Sequence, residues 1–196
     1  MTGYKLKTES QFDASKLTDR TIITDNIQIT KSYGIYDNRG KYNAIVDIKP
    51  NIRARGRSEI LIVDGDKVYL SKSKIGLCGN YAIPGGGWDK NESHDKSAIR
   101  EAEEEARLKS RNVKYVGCYL TLYDEPHPWV KNCVDEKYWW RGYYTEVYIG
   151  EFDRKYTGFI DDVDKDDLIK TGKFYQIKDV INELHPIHAN ALKKYL

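Results

Sequence analysis

Three consecutive glycines, Gly85-Gly86-Gly87, divide this chain into two regimes of hydrophobic periodicity. Upstream, Ile27, Ile29, Tyr33 and Ile35 alternate with polar neighbours, as do Tyr42, Ala44, Val46 and Ile48. That period of two belongs to strands. The turn formers Asp37-Asn38-Arg39-Gly40 lie between the runs, so residues 26–48 are expected to form one hairpin, ended by Pro50. A second hairpin is expected from Ile60–Val63, the turn Asp64-Gly65-Asp66 and Val68–Leu70, and Tyr81-Ala82-Ile83 reads as a short strand entering the glycines. Downstream the period changes. Ala98, Ile99, Ala102 and Ala106 recur at helical spacing after Ser93, the expected N-cap. Val113–Leu122 and Tyr138–Phe152 read as strands around a Pro- and Trp-bearing loop at 124–134. The acidic stretch Asp161–Asp167 reads as a solvated loop. Val180, Ile181 and Leu184 mark one terminal helix, and Ile187, Ala191, Leu192 and Tyr195 mark another with Pro186 in its first turn.

Composition narrows the function. The 196 residues suit one domain with an extension. The 32 Lys plus Arg stand against 30 Asp plus Glu, a net charge of +2, without the basic surplus of a dedicated nucleic-acid binder. The longest aliphatic run, Ile60–Val63, is far short of the roughly 20 residues that cross a bilayer, so no membrane partner is expected. Met1–Lys7 carries no apolar stretch followed by a small-residue cleavage site, and a cytoplasmic location is expected. Cys78, Cys118 and Cys133 are odd in number, form no Cys-x-x-Cys, and read as reduced thiols.

Chemistry concentrates after the glycines. At about 100° per residue, Glu104 lies roughly −60° and Glu105 roughly +40° from Glu101, so three carboxylates share one helix face and Glu103 points elsewhere. Like charges at these spacings destabilise a helix by a few tenths of a kcal/mol per pair. Lys96 and Arg100 offset only part of that. Clustered hard oxygens suit magnesium or manganese; an ordinary solvated acidic face is the alternative.

The run has company that decides between them. Gly86, Glu92, Arg100, Glu101, Ala102, Glu104, Glu105 and Leu108 follow the spacing Gly-x5-Glu-x7-Arg-Glu-apolar-x-Glu-Glu-x-x-apolar, which resembles the signature of the Nudix hydrolases. Six polar and glycine positions would match by chance with a probability on the order of 10⁻⁷ per window, so the likeness is specific. It implies an α+β fold, a Nudix-type α/β/α sandwich with a mixed central sheet. Residues 1–56 would be an amino-terminal β-rich extension and 57–196 the Nudix hydrolase domain.

The resemblance also implies magnesium- or manganese-dependent attack of water on a nucleoside diphosphate linked to another moiety. By carry-over, Glu101, Glu104 and Glu105 hold the metal with the backbone carbonyl of Gly85 or Gly86, and Glu101 or Glu105 is the general base. Gly86, Glu92 and Arg100 support them, Arg100 by orienting the neighbouring glutamates. A further acid from outside the signature is expected among Glu146, Asp162 and Asp164. One position departs from the pattern: Arg107 stands where the family usually has glycine. The helix is therefore expected to run on toward Lys109 or Ser110.

Other motifs fall away. No Gly-Lys-Ser/Thr follows the glycines and no Gly-x-Gly-x-x-Gly occurs. His185 and His188 read as helix-start histidines and not as a metal pair, while His94 and His127 are uninformative. Trp129, Trp139 and Trp140 suit core packing or base stacking, with Trp129 the loop candidate for substrate binding. Within the family, Tyr123 would lean toward diadenosine polyphosphates, and Pro126 or Pro128 toward ADP-ribose. The amino-terminal extension favours ADP-ribose-like substrates and a homodimer paired through the 26–48 hairpin edges. Diadenosine polyphosphates, nucleoside triphosphates, an RNA 5′ end and a non-catalytic nucleotide-sensing role are the alternatives; near-neutral charge gives RNA little support.

Overall fold

Strand β4 (Ile52–Asp64) is the spine of the molecule. The computed structural model describes residues 20–72, 81–155 and 172–196. Among them a mixed sheet runs β1 (Arg20–Ile23), β8 (Leu108–Tyr123), β9 (Gly142–Lys155), β4, β3 (Tyr42–Ile48), β2 (Ile29–Tyr36). On one side β4 pairs in parallel with β9, from Arg55 opposite Tyr143 to Val63 opposite Glu151. On the other it takes three antiparallel partners in turn: β3 at Ile52–Arg55, β7 (Gly85–Gly87) at Arg57–Glu59, and β5 (Lys67–Lys72) at Val63–Asp64. β6 (Tyr81–Ala82) and β10 (Lys173–Gln176) flank β5.

Ser58–Val63 are buried without interruption, as a strand covered on both faces requires. Ile60 and Ile62 pack on Ala98, Ala102 and Ala106 of the helix after the glycines. Leu61 and Val63 face Ile177, Val180, Leu184, Ala191 and Leu192 on the other side. Alternation along one strand therefore separates two helical layers, an α/β/α sandwich with the amino-terminal strands extending its sheet.

Both expected hairpins form: β2 pairs β3 from Ile29 opposite Ile48 to Tyr36 opposite Tyr42, and β4 turns into β5 through Asp64-Gly65-Asp66. The 124–134 segment, expected to be a loop, contains a helix. It holds α2 (Pro128–Cys133), whose N-cap His127 accepts the Trp129 N–H on Nδ1 at 3.1 Å, with Pro128 opening the helix. A 3-10 turn over Glu136–Tyr138 follows, its Lys137 N–H bound by Asp135, so the strand expected from Tyr138 begins only at Gly142. Of the carboxy-terminal helices, α3 is a single turn (Ile177–Val180) continued by a 3-10 turn, whereas α4 (Pro186–Tyr195) starts at Pro186 and is capped by His185.

The helix exit corrects one expectation. α1 (His94–Glu101) continues as a π turn over Ala102–Ala106 and stops there, with Arg107 left-handed at φ 56°, ψ 36° and its N–H donated to the Ala102 carbonyl. It does not run on to Lys109 or Ser110. The wide π turn and β8, which begins at Leu108, fix the exit, so Arg adopts the conformation glycine would take more readily. Ser93 precedes the helix in extended conformation but makes no side-chain cap bond to it. Asp161–Asp167, with Asp162 and Asp164, and Cys78 lie outside the described residues. Cys118 and Cys133 are free thiols, and no helix among the described residues is long and apolar enough to cross a membrane.

Candidate active site

β7 is zipped to β4 with Gly85 opposite Glu59 and Gly86 opposite Ser58, which presses the glycine turn against the start of α1. Gly86 leaves room for the Glu101 carboxylate: a Cβ on it would lie 2.2 Å from Oε1 of Glu101. Arg100 fastens the turn to the helix. Its Nη1 donates to Glu101 at 2.7 Å and to Glu104 at 3.0 Å, its Nη2 to the Gly87 carbonyl at 3.0 Å, and its Nε to Glu92 at 3.3 Å. One guanidinium thus binds the loop carboxylate, the turn backbone and two of the helix acids. Its fixed fork of donors suits that task better than a flexible ammonium would.

Glu105, the third acid, turns the other way and accepts the Gly85 N–H at 2.8 Å. Burial and then the Glu101 charge push its carboxyl up to about 8. Burial also lifts Glu101, against the pull of Arg100. Glu103 lies apart, 3.9 Å from Lys109. The segment Gly85–Glu105 therefore concentrates more negative charge than Arg100 balances.

Glu146, on β9 beside Ser58, accepts from Tyr148 at 2.7 Å and lies 3.1 Å from Nδ1 of His94. Burial would raise its carboxyl, and His94 with Tyr148 more than reverses that. His94, which the sequence left without a role, stacks on Trp88 at 3.5 Å. Trp129 stands with another group: it packs edge-on against Trp140 at 5.6 Å in the cluster of Ile35, Ile45 and Val130, beneath Arg39.

Sequence reading missed a second charged group on the opposite face of β4. Arg57 Nη2 donates to the Gly85 carbonyl at 3.0 Å and lies 3.2 Å from Glu59. Glu59 is buried, accepts from Tyr119 at 2.8 Å and meets Nε2 of the fully buried His188 at 3.3 Å. Burial alone would raise Glu59, but Arg57, His188 and Tyr119 hold it below the usual carboxylate range. The available signal was Arg57-x-Glu59, charged residues directly ahead of the apolar run Ile60–Val63. Gly85 is consequently gripped at both ends, its N–H by Glu105 and its carbonyl by Arg57.

A model of the NUDIX domain matches residues 53–195. The chain belongs to the NUDIX family. Two curated relatives, NAD-capped RNA hydrolases NudC of Pseudomonas entomophila and Pseudomonas fluorescens, are 31% and 32% identical over 83 and 79 residues. Those stretches cover 42% and 40% of this chain but only 30% and 29% of the relatives, so the chain spans less than a third of their length. Among solved structures, a MutT NUDIX hydrolase from Burkholderia pseudomallei is 17% identical with a TM-score of 0.48, covering 73% of this chain and 98% of its own.

NUDIX hydrolases generally use divalent metal ions. Among the described residues no three His, Cys, Asp or Glu side chains converge as a ready-made cage, because Arg100 holds Glu101 and Glu104 while Gly85 holds Glu105. The donor set nonetheless fits a hard cation: three carboxylates and a backbone carbonyl close together, with burial and the neighbouring Glu101 charge pushing the Glu105 carboxyl up.

Proposed function

We propose that this NUDIX protein is a magnesium- or manganese-dependent pyrophosphohydrolase acting on a nucleoside diphosphate linked to another moiety, with ADP-ribose-like compounds as substrate. One observation carries the reading: Glu101, Glu104 and Glu105 lie around the Gly85–Gly86 turn, tied to it by Arg100 and by the Gly85 N–H. Glu101, Glu104, Glu105 and the Gly85 carbonyl would hold the ion. When bound, it would neutralise the diphosphate and lower the pKa of a coordinated water.

The remaining work belongs to the chain. Arg100 and Glu92 keep the turn and the helix acids in register, so the carboxylates do not splay apart on losing a proton. Arg57 stands at the Gly85 carbonyl with a guanidinium suited to a non-bridging phosphate oxygen. In its charged form Glu105 is a stronger base than an ordinary carboxylate, because burial and the Glu101 charge push it up to about 8, and that form takes a proton from attacking water; the P–O–P bond opens and the leaving phosphate departs with its bridging oxygen. Glu146, bound to His94 and Tyr148, is the candidate for an acid from outside the signature. Trp129, half-buried against its own cluster, is a weaker candidate for substrate contact.

The NudC likeness favours one variant of this reading, an NAD cap on an RNA 5′ end, whose diphosphate likewise links a nucleoside to another moiety. The test is a panel of ADP-ribose, NAD, diadenosine polyphosphates, nucleoside triphosphates, and triphosphorylated and NAD-capped RNA, incubated with magnesium and followed by chromatography. Monophosphate products from ADP-ribose support the reading; binding without product supports a sensor. The exposed edge strand β2 supports a homodimer, and a monomeric mass in light scattering would remove it.

A further inference from the structure

A cavity of about 560 Å³ opens at the far end of β4, where the β3–β4 turn meets the 126–141 segment. Asp47, Lys49, Arg53, Pro126, Trp139 and Arg141 contribute to its lining. Its volume falls in the roughly 300–1,000 Å³ range of small-molecule sites. Three cations face one carboxylate there. Arg53 Nε is committed to Asp47 at 3.0 Å, while Lys49 and Arg141 are exposed and make no ion pair with any described residue. The wall also offers a planar group: Trp139 is held by its Nε1–H donated to the Val134 carbonyl at 2.9 Å. Two uncommitted cations beside a fixed indole suit a ligand that carries both a phosphate and a flat ring.

The cavity is linked to the acidic turn through the sheet. Arg53, Arg55 and Arg57 occupy alternate positions of β4 and so share one face. At about 3.3 Å per residue, the row spans about 13 Å from the cavity to the guanidinium on the Gly85 carbonyl. Between the ends, Arg55 Nη2 lies 2.8 Å from where a Cβ on Gly87 would stand. A cationic track therefore leads from the catalytic turn to the cavity on the face opposite α1.

We propose that this cavity binds a nucleoside monophosphate moiety, its phosphate on Lys49 and Arg141 and its base against Trp139. Its place in catalysis rests on the pyrophosphohydrolase reading, because the moiety is either the half of a long substrate remote from the scissile bond or a separate effector nucleotide. Binding itself does not depend on that reading.

The experiment is isothermal calorimetry with AMP in EDTA on the wild-type chain, on Lys49→Glu/Arg141→Glu, and on Glu105→Gln. Both reversed side chains are exposed, and circular dichroism checks that the fold persists. Expected is AMP binding in the wild type and in Glu105→Gln, weakened at least about tenfold by the reversals, with inorganic phosphate weaker than AMP. Undetectable AMP binding, binding indifferent to the reversals, or phosphate binding as well as AMP would each overturn the proposal. Steady-state kinetics then separate the two sources. A distal substrate half gives the reversals a raised KM for the linked nucleotide at nearly constant kcat; an effector gives a rate that responds to AMP in the wild type and not in the variant. Absence of hydrolysis on every substrate, with AMP binding intact, would remove the pyrophosphohydrolase reading alone.

Discussion

Arg57 and Glu105 grip one residue from opposite sides: Arg57 Nη2 donates to the Gly85 carbonyl at 3.0 Å, and Glu105 accepts the Gly85 N–H at 2.8 Å. The turn is thereby fixed between a guanidinium on one face of β4 and an acid on the other. Replacing Arg57 by Met keeps the aliphatic stem and removes the donor. A fall in kcat/KM of about 10²–10³ is expected, the range for loss of one preorganised charge-stabilising donor. A loss below threefold would place Arg57 outside the reaction.

Glu105 couples stability to pH. Its carboxyl, pushed up to about 8 from an ordinary 4.5, keeps its proton longer in the folded chain than in the unfolded one. The stability this contributes is complete below pH 4.5 and is lost as pH rises through about 8. The span is worth about 3–5 kcal/mol as an upper range. Thermal melts in EDTA should fall between pH 5 and pH 8, and magnesium or manganese should restore more stability at pH 8 than at pH 5. A melting temperature that rises over this window in EDTA would contradict the assignment.

Arg107 carries a backbone cost that glycine would not. Left-handed geometry costs an L-residue about 1–2 kcal/mol, and glycine returns about half of that gain as unfolded-state entropy. Arg107→Gly should therefore stabilise the chain by about 0.5–1 kcal/mol in urea unfolding, with kinetics unchanged.

Any side chain on Gly86 would have to displace the Glu101 carboxylate. The atom a Cβ would strike is the end of a carboxylate, which can swing away, so Gly86→Ala should fold with a modest loss of melting temperature. Displacing Glu101 by about 1 Å should cost about 10² in kcat/KM. Equal losses in folding and in rate would mean that the turn, and not the carboxylate, had been disturbed.

Much of this was legible in the sequence because local patterns agreed with tertiary demand. Period-two alternation marks β2 and β3, the Gly-to-Leu108 spacing marks the acidic turn, and Arg100 contacts Glu92, Glu101 and Glu104, neighbours that the spacing already brought together. What escaped depended on contacts far apart in the chain. Glu59 meets His188 across 129 residues, and His94 meets Glu146 across 52. Neither distance is visible in spacing. The helix ends earlier than expected because the steric cost of a left-handed Arg107 is weighed alone in the sequence, whereas a π turn and the following strand set its conformation.

AMP release from ADP-ribose by wild-type and Glu105→Gln protein, each with magnesium and with EDTA, bears most directly on the acidic turn as the reaction centre. The expected result is magnesium-dependent release in the wild type and a loss of at least about 10³ in Glu105→Gln, whose melting temperature in EDTA at pH 8 equals or exceeds that of the wild type. Release that persists in EDTA, or that survives the substitution undiminished, would contradict it.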